Sequence, residues 1–260
     1  MSSDGSLLPH FVIGGAPRSG TTSLAEALDA HPEVALAKPL VPEPKVMILE
    51  GPDVEACRRR YQSLFEPGDA QRVRGEKTTL YMESETVPAL FDEVLPGARI
   101  LFLVRDPVER AYSNWLWSRM NGREEESFER AIELELGQVE RETRLPDWQQ
   151  AYARPHDYLA RGDYARFAQR WFEALGTERV RFFVYEQLIG PDADELFREV
   201  QAFVGVEQRE PAWPTELVTA ARDTGPPLDR AVRDSLREHM RPLVEGFAGI
   251  TGIDVTPWGY

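Results

Sequence analysis

Cysteine is nearly absent from this sequence. Cys57 is the only cysteine among 260 residues, which excludes a disulfide within the chain and a metal site built from several cysteines. We expect Cys57 to pack inside a helix without a chemical role. The scarcity of cysteine is consistent with a reducing, cytoplasmic location.

Long apolar runs are also missing. No stretch approaches the roughly 18 residues that a transmembrane helix needs. The first fifteen residues, MSSDGSLLPHFVIGG, lack the basic and apolar regions of a secretory signal. The sequence therefore predicts a cytoplasmic protein without a membrane span.

Positive charge is in short supply. The chain has 30 Lys and Arg against 44 Asp and Glu, a net charge of -14. This excess of negative charge argues against a broad surface for nucleic acid or another polyanion. It leaves room for a local basic pocket.

Apolar runs that alternate with amphipathic stretches indicate the fold class. They predict one α/β domain over residues 1–260, with a central parallel sheet flanked by helices. Continuous apolar character marks 98–107 as a central strand buried on both faces. The predicted strands are 10–16, 98–107 and 180–188, and the predicted helices are 21–30, 52–65, 108–120, 163–175, 195–204 and 227–247.

The stretch GGAPRSGTTS, residues 14–23, has the frame of a phosphate-binding loop between a strand and a helix. Backbone N–H groups at the helix N-terminus would form an anion cradle, to which Arg18 adds a forked cation and the hydroxyl residues add donors. The alternative is an ordinary strand–helix turn that contains glycine.

Two absences separate this loop from ATP and GTP chemistry. Thr21 stands where those enzymes need lysine. Asp106, at the end of the central strand, lies beside Arg105, and an ion pair would remove it as a metal ligand. We therefore expect a donor nucleotide that needs no metal. A nucleotide kinase and a non-catalytic nucleotide-binding protein are the alternatives.

Three motifs resemble a known family. GAPRSGTTSL, GEKTTLY and LVRDPVERAYSNW are similar to the signatures of sulfotransferases that use 3′-phosphoadenosine 5′-phosphosulfate (PAPS). The resemblance runs in order from about residue 11 to 205 and is closest to the heparan-sulfate-like and bacterial members. It implies a P-loop-like sulfotransferase fold, PAPS as donor, 3′-phosphoadenosine 5′-phosphate (PAP) as product, and no metal.

The resemblance also implies residue roles on the donor. Arg105 and Ser113 match the residues that bind the 3′-phosphate; the alternative for Arg105 is an ion pair with Asp106 or Glu109. Arg222 lies where the family often has a loop that closes over the donor. The 5′-phosphosulfate would be held by Arg18, Ser19, Gly20, Thr21, Thr22 and Ser23.

On the acceptor side, Glu43 matches the general base of the glycan-type members, and Lys77 matches a lysine near the sulfonate. Arg18 would share in stabilising charge. His156 is the alternative base, since the phenol-type members use histidine. Lys45, Thr79 and Tyr81 are candidates for the acceptor cleft, and Arg161 and Tyr164 for contacts to nucleotide or acceptor.

The acceptor itself is defined only by class. An acidic protein favours a small or lipid-like alcohol over a long sulfated glycan. The abundance of Arg, Ala, Glu and Pro resembles a bacterial protein and suggests secondary metabolism, with a lipid or glycan acceptor as the alternative. Trp148 and Trp213 are candidates for an apolar acceptor wall, whereas Trp115 and Trp171 are predicted core residues.

Overall fold

The structure, a computed structural model, describes residues 7–142, 154–213 and 225–260. Its centre is a sheet of five parallel strands in the spatial order β2-β3-β1-β4-β5. The strands are β1 (Phe11–Gly15), β2 (Val34–Leu36), β3 (Val73–Lys77), β4 (Arg99–Val104) and β5 (Val180–Val184). The predicted α/β class with a parallel sheet is confirmed.

Ten α-helices connect and cover the strands in the described residues. They are α1 (Thr21–Asp29), α2 (Val46–Leu49), α3 (Val54–Gln62), α4 (Val87–Val94), α5 (Pro107–Met120), α6 (Phe128–Leu136), α7 (Tyr164–Leu175), α8 (Tyr185–Leu188), α9 (Ala193–Val204) and α10 (Arg230–Thr251). Short 3-10 turns lie at Pro67–Gln71, Ala160–Gly162 and Thr256–Trp258. None of the described helices has the length and apolar character needed to cross a membrane.

The core of the described residues has two layers, one on each face of the sheet, and a third apolar cluster among α5, α6 and α10. In β4, Ile100 and Phe102 face one layer while Leu101 and Leu103 face the other, as the alternation of side chains in a strand requires. All residues of β4 except Arg99 are buried. The predicted central strand is therefore confirmed, and the carboxyl ends of β1, β3 and β4 meet at one edge.

Several predicted boundaries differ from those in the structure, and three elements show the causes. The predicted strand 180–188 ends at Val184, because its partner β4 ends at Val104, and the chain continues as α8. The predicted helix 52–65 begins at Val54, after Asp53 caps it through the Ala56 amide, and ends at Gln62. The last helix begins at Arg230, where the Asp229 carboxylate accepts the Ala231 and Val232 amides.

The sheet also contains two strands that the sequence pattern did not predict, β2 and β3. The two edge strands of the sheet are β2 and β5, and Arg181 is the one exposed residue of β5.

Candidate active site

The phosphate-type loop follows β1 and leads into α1, as predicted. Gly20 has φ 78° immediately before α1, and a Cβ there would lie 2.8 Å from the Tyr185 ring. Glycine alone combines this left-handed backbone with this close approach. Arg18 also has a positive φ of 69°, a conformation that L-residues rarely adopt.

The loop presents hydrogen-bonding groups that the described protein atoms do not satisfy. Within the described ranges, no side chain caps the N-terminus of α1. The Ser19 hydroxyl is fully buried and has no hydrogen-bond partner among the described residues. A buried hydroxyl without a partner is costly unless a ligand or water supplies one. Together with the α1 N-terminus, this makes the loop suited to an anion.

Arg18 joins the loop to α5. Its Nε donates to Ser113 Oγ at 2.9 Å, although the two residues lie 95 positions apart in the chain. The structure thus brings together one residue predicted for the 5′ end of the nucleotide and one predicted for the 3′ end.

Arg105 leaves the end of β4 next to this loop. Its Nη1 donates to the Arg18 carbonyl oxygen at 3.4 Å, and its guanidinium lies over the Tyr185 ring at 5.0 Å. Tyr164, which is buried, donates its hydroxyl to the Arg105 carbonyl oxygen at 3.0 Å. Tyr164 therefore supports Arg105 from within the core.

The alternative interpretation of Arg105 as a partner of Asp106 or Glu109 is wrong. Asp106 pairs with Arg237 at 2.6 Å, and Glu109 pairs with Arg233 at 2.6 Å. Asp106 also accepts the Val108 and Glu109 amides at the start of α5, so it serves as a helix cap. No cluster of metal-ligating side chains occurs in the described ranges.

Glu43 and Lys77 form an ion pair beside the loop. Lys77 Nζ lies 2.8 Å from Glu43 Oε1 and 3.4 Å from Thr22 Oγ1. Thr79 donates its amide to Glu43 Oε2 at 3.1 Å and its hydroxyl to Oε1 at 2.9 Å. Lys77 is 2% exposed, so it is not an ordinary surface lysine. One buried cation therefore links the loop to the predicted base.

A cavity of about 490 Å³ opens over this cluster. Its apolar side is formed by Val41, Pro42, Leu80 and Trp117, and the Arg123 guanidinium lies 4.7 Å from the Trp117 ring. The polar lining includes Arg18, Thr21, Thr22, Glu43, Lys45, Lys77, Thr79, Asn114, Arg123 and Arg161. The cavity thus combines polar and apolar lining residues.

Asn114, Trp117, Leu80 and Arg123 were not among the sequence candidates. Asn114 and Trp117 lie one position and four positions after Ser113 on α5. That spacing puts all three on one side of the helix, which is a signal the sequence did contain.

Several predicted site residues lie elsewhere. Tyr81 is fully buried and accepts the Met47 amide through its hydroxyl at 3.0 Å, so it does not line the cavity. His156 contacts Glu124 Oε2 at 3.2 Å and is absent from the cavity lining, which removes the geometric case for it as the base. Trp213 packs on Phe197 and donates to Asp194, also away from the cavity.

Arg161 does line the cavity, but both arms of its guanidinium bind Glu83 at 2.6 and 2.8 Å. Lys45 lines it as well, with Nζ 3.4 Å from the Glu43 carbonyl oxygen. Arg222 and Trp148 lie outside the described residues.

Comparison with known proteins agrees with this geometry. The model of the sulfotransferase domain family matches residues 8–220. The chain therefore belongs to the sulfotransferase family, as its motifs predict.

Individual relatives fit the same class. The chain is 26% identical over 270 residues to human heparan sulfate glucosamine 3-O-sulfotransferase 3B1, covering 95% of this chain and 64% of that protein. It is 31% identical over 121 residues to the bovine bifunctional heparan sulfate N-deacetylase/N-sulfotransferase 2, covering 44% of this chain and 13% of that protein. The chain thus spans less than two thirds of the length of either relative.

Among solved structures, a sulfotransferase from Alicyclobacillus acidocaldarius superposes with a TM-score of 0.77 at 24% identity. The superposition covers 97% of this chain and 99% of that one. This likeness establishes the sulfotransferase fold.

Proposed function

We propose that residues 1–260 act as one domain that transfers a sulfonate group from PAPS to a hydroxyl of a small-molecule acceptor in the cytoplasm. Glu43 is the general base. The observation that carries the proposal is the position of Lys77, whose Nζ lies within 3.4 Å of both the loop hydroxyl of Thr22 and the carboxylate of Glu43.

The residues present fit a nucleotide with phosphate at both ends. The Ser19 hydroxyl and the α1 N-terminus would hold the 5′-phosphosulfate together with Arg18, Gly20, Thr21, Thr22 and Ser23. Arg105 and Ser113 would hold the 3′-phosphate, as their positions in the motif LVRDPVERAYSNW imply, and both contact Arg18 of the loop. Arg222 stays a candidate for the closing loop.

The donor supplies an activated sulfonate group. Transfer forms a bond between the acceptor oxygen and sulfur and breaks the bond between sulfur and the bridging phosphate oxygen, while the acceptor proton passes to Glu43. Lys77 would stabilise the charge that develops on the bridging oxygen, and Arg18 would assist from the loop. The chain contributes mainly positioning and electrostatics.

The acceptor is proposed to be a small alcohol, such as a secondary metabolite in a bacterium. The cavity of about 490 Å³ has the size of a small-ligand site and an apolar side at Val41, Leu80 and Trp117. Lys45 and Thr79 would contact the acceptor on the polar side. A glycan acceptor is the alternative, because several relatives are named for heparan sulfate, and a lipid is another.

A nucleotide kinase and a non-catalytic binding protein are the rival classes. Thr21 in place of the loop lysine and the capping role of Asp106 both disfavour a kinase. The Lys77–Glu43 pair, which lines the cavity with side chains 3% and 13% exposed, disfavours a protein that only binds a nucleotide, because a largely buried ion pair contributes little to stability.

Calorimetric titration with PAP tests the donor site. We expect micromolar binding that is unchanged by EDTA or Mg²⁺. Arg105→Ala should weaken PAP about 30-fold by removing charge-assisted hydrogen bonds, and weaken adenosine 5′-monophosphate, which lacks the 3′-phosphate, far less. Arg130→Ala, an exposed arginine on α6, is the control. Strict dependence on Mg²⁺ would reject the proposal, and equal losses for both ligands would reject the 3′ assignment.

Mass spectrometry of a panel of alcohols incubated with PAPS tests the chemistry, through a gain of one sulfonate group. With an acceptor so identified, Glu43→Gln should lower kcat by at least about 100-fold while PAP affinity is kept. Glu50→Gln, the same change on an exposed carboxylate nearby, should leave kcat unaltered. Full activity of Glu43→Gln would eliminate Glu43 as the base.

A further inference from the structure

A buried carboxylate lies beneath the segment that carries Glu43. Glu76, on β3, is 0% exposed, and so are the two tyrosines around it, Tyr61 of α3 and Tyr81. The Tyr61 hydroxyl donates to Glu76 Oε1 at 3.1 Å, and Thr78 Oγ1 donates to Glu76 Oε2 at 2.9 Å. The donor and the catalytic steps proposed above do not use Glu76.

One chain of hydrogen bonds runs from the backbone to this carboxylate. The Met47 amide donates to the Tyr81 hydroxyl at 3.0 Å, and the Tyr81 and Tyr61 hydroxyl oxygens lie 3.0 Å apart. Because Tyr81 accepts from the amide and Tyr61 donates to Glu76, the hydrogen between the tyrosines belongs to Tyr81. Every hydroxyl in this chain then has one defined orientation.

A second chain begins two residues earlier. The Lys45 amide donates to Thr78 Oγ1 at 3.0 Å, and Thr78 donates onward to Glu76. Lys45 has φ 50°, a conformation that costs an L-residue about 1 kcal/mol and needs support from its surroundings. The Thr78 bond supplies that support.

We propose that Glu76 is a positioning residue for the base: by accepting both chains, its carboxylate fixes residues 45–47 and thereby holds Glu43 against Lys77 and Thr79. Glu43 lies two residues before Lys45, so a rotation of the Lys45 backbone would move it. This inference rests on the proposed function, in which Glu43 is the base.

The arrangement requires the ionised form of Glu76. Protonation would place a hydrogen on one carboxyl oxygen, and the hydroxyl of Tyr61 or Thr78 beside that oxygen would then have to accept this hydrogen instead of donating its own. Burial raises the pKa of Glu76 to about 7, with the hydrogen bonds from Thr78 and Tyr61 opposing and the charge of Glu43 adding to the rise. The titratable groups that face it are Tyr61, Tyr81 and Glu43, and both tyrosines are uncharged near neutral pH because burial raises their pKa.

The test compares Glu76→Gln and Tyr61→Phe with the full-length protein. Three quantities are measured: hydrogen exchange of the Lys45 and Met47 amides, calorimetric PAP affinity, and kcat with the acceptor found by the alcohol screen. Tyr158→Phe is the matched control, because it also removes a buried tyrosine hydroxyl that donates to a buried carboxylate, Glu124, away from the cavity.

In Glu76→Gln we expect faster exchange at both amides and a kcat at least about tenfold lower, because a small misplacement of a reacting group is costly. In Tyr61→Phe, hydrogen exchange should be faster at the Met47 amide and unchanged at the Lys45 amide. PAP affinity should stay within about twofold. The kcat of the unmodified protein should fall below pH 7, whereas that of Glu76→Gln should lose this dependence.

Unchanged amide exchange in Glu76→Gln would overturn the inference, and so would faster exchange with an unaltered kcat. If kcat fell no further in Glu76→Gln than in Tyr158→Phe, Glu76 would be a structural residue and not a positioning residue for the base. If the unmodified protein failed to bind PAP or to sulfonate any alcohol, the proposed function would fall, and with it the base that Glu76 is proposed to position. Amide exchange needs neither PAP nor an acceptor, so it tests the link between Glu76 and residues 45–47 separately.

Discussion

Gly20 lies close to the residues proposed for both ends of the donor, the 5′-phosphosulfate loop and Arg105. The space that its missing side chain leaves is filled by the Tyr185 ring, and the Arg105 guanidinium lies over the same ring at 5.0 Å. A side chain at position 20 would therefore disturb both the loop that leads into α1 and the residue proposed for the 3′-phosphate.

Gly20→Ala should reduce PAP affinity by about tenfold or more and destabilise the protein by about 1–2 kcal/mol, since the left-handed backbone disfavours alanine. Gly51→Ala is a sharp control: Gly51 has φ 61°, but a Cβ at this position would have no described atom within 4 Å, so the variant carries the same backbone penalty without a contact. Calorimetry and thermal unfolding measure the two effects. Equal loss of affinity in both variants would show that the Tyr185 contact is irrelevant.

At the scale of elements, Glu124 joins the segment after α5 to residues 154–158. Its buried carboxylate binds Arg141 at 2.5 Å and Tyr158 at 2.8 Å, contacts His156, and accepts the amides of two following residues. Burial alone would raise its pKa, but the bonds from Arg141, the Glu126 amide and Tyr158 outweigh burial and lower the pKa to about 2.

Because the folded pKa of Glu124 lies below that of the unfolded chain, its contribution to stability is complete above about pH 4.5 and is lost as the pH falls toward 2. Glu124→Gln should destabilise the protein by about 3 kcal/mol at pH 7, and by less below pH 4.5. Urea unfolding at both pH values measures this, with the exposed Glu129→Gln as control. A difference that grows toward acid would contradict the assignment.

The strength of the sequence pattern determined which elements could be predicted. β4 was predictable because its apolar run is continuous, and the loop because glycine, arginine and hydroxyl residues follow a strand. β3, Val73–Lys77, reads as polar, yet Glu76 and Lys77 are buried because Tyr61 and Glu43 satisfy them over 15 and 34 positions. No local pattern encodes such partners, so the strand and the role of Glu76 emerged only from the structure.

At the scale of the whole molecule, the overall charge and the charge of the cavity have opposite signs. The chain carries -14, but the cavity is lined by five cationic side chains against one carboxylate, Glu43. The cations are Arg18, Lys45, Lys77, Arg123 and Arg161, of which Lys77 pairs with Glu43 and Arg161 with Glu83. At physiological ionic strength, exposed charges act over only about 8 Å, so a small anion in the cavity experiences mainly the local cations. A long polyanion would also contact protein surface outside the cavity, where the net charge is negative, and would be repelled there.

We therefore expect the protein to pass through a heparin column at about 150 mM salt while it still binds PAP in the same buffer. Reversing the charge of Arg123 to Glu should leave the heparin result unchanged. Retention beyond about 0.5 M salt would contradict this expectation and favour the glycan alternative for the acceptor.

The exposed residue of β5 bears on the handling of the protein in solution. The strand Val-Arg-Phe-Phe-Val lies at an edge of the sheet, and among the described strands only β4 pairs with it. Apolar edge strands of this kind tend to recruit other chains and to seed aggregation. Arg181 interrupts the apolar run with a charge, and its guanidinium covers the Phe203 ring at 5.5 Å. We therefore expect Arg181 to protect the protein against aggregation. An apolar residue at this position should lower the yield of unaggregated protein without altering the kcat of the folded molecules.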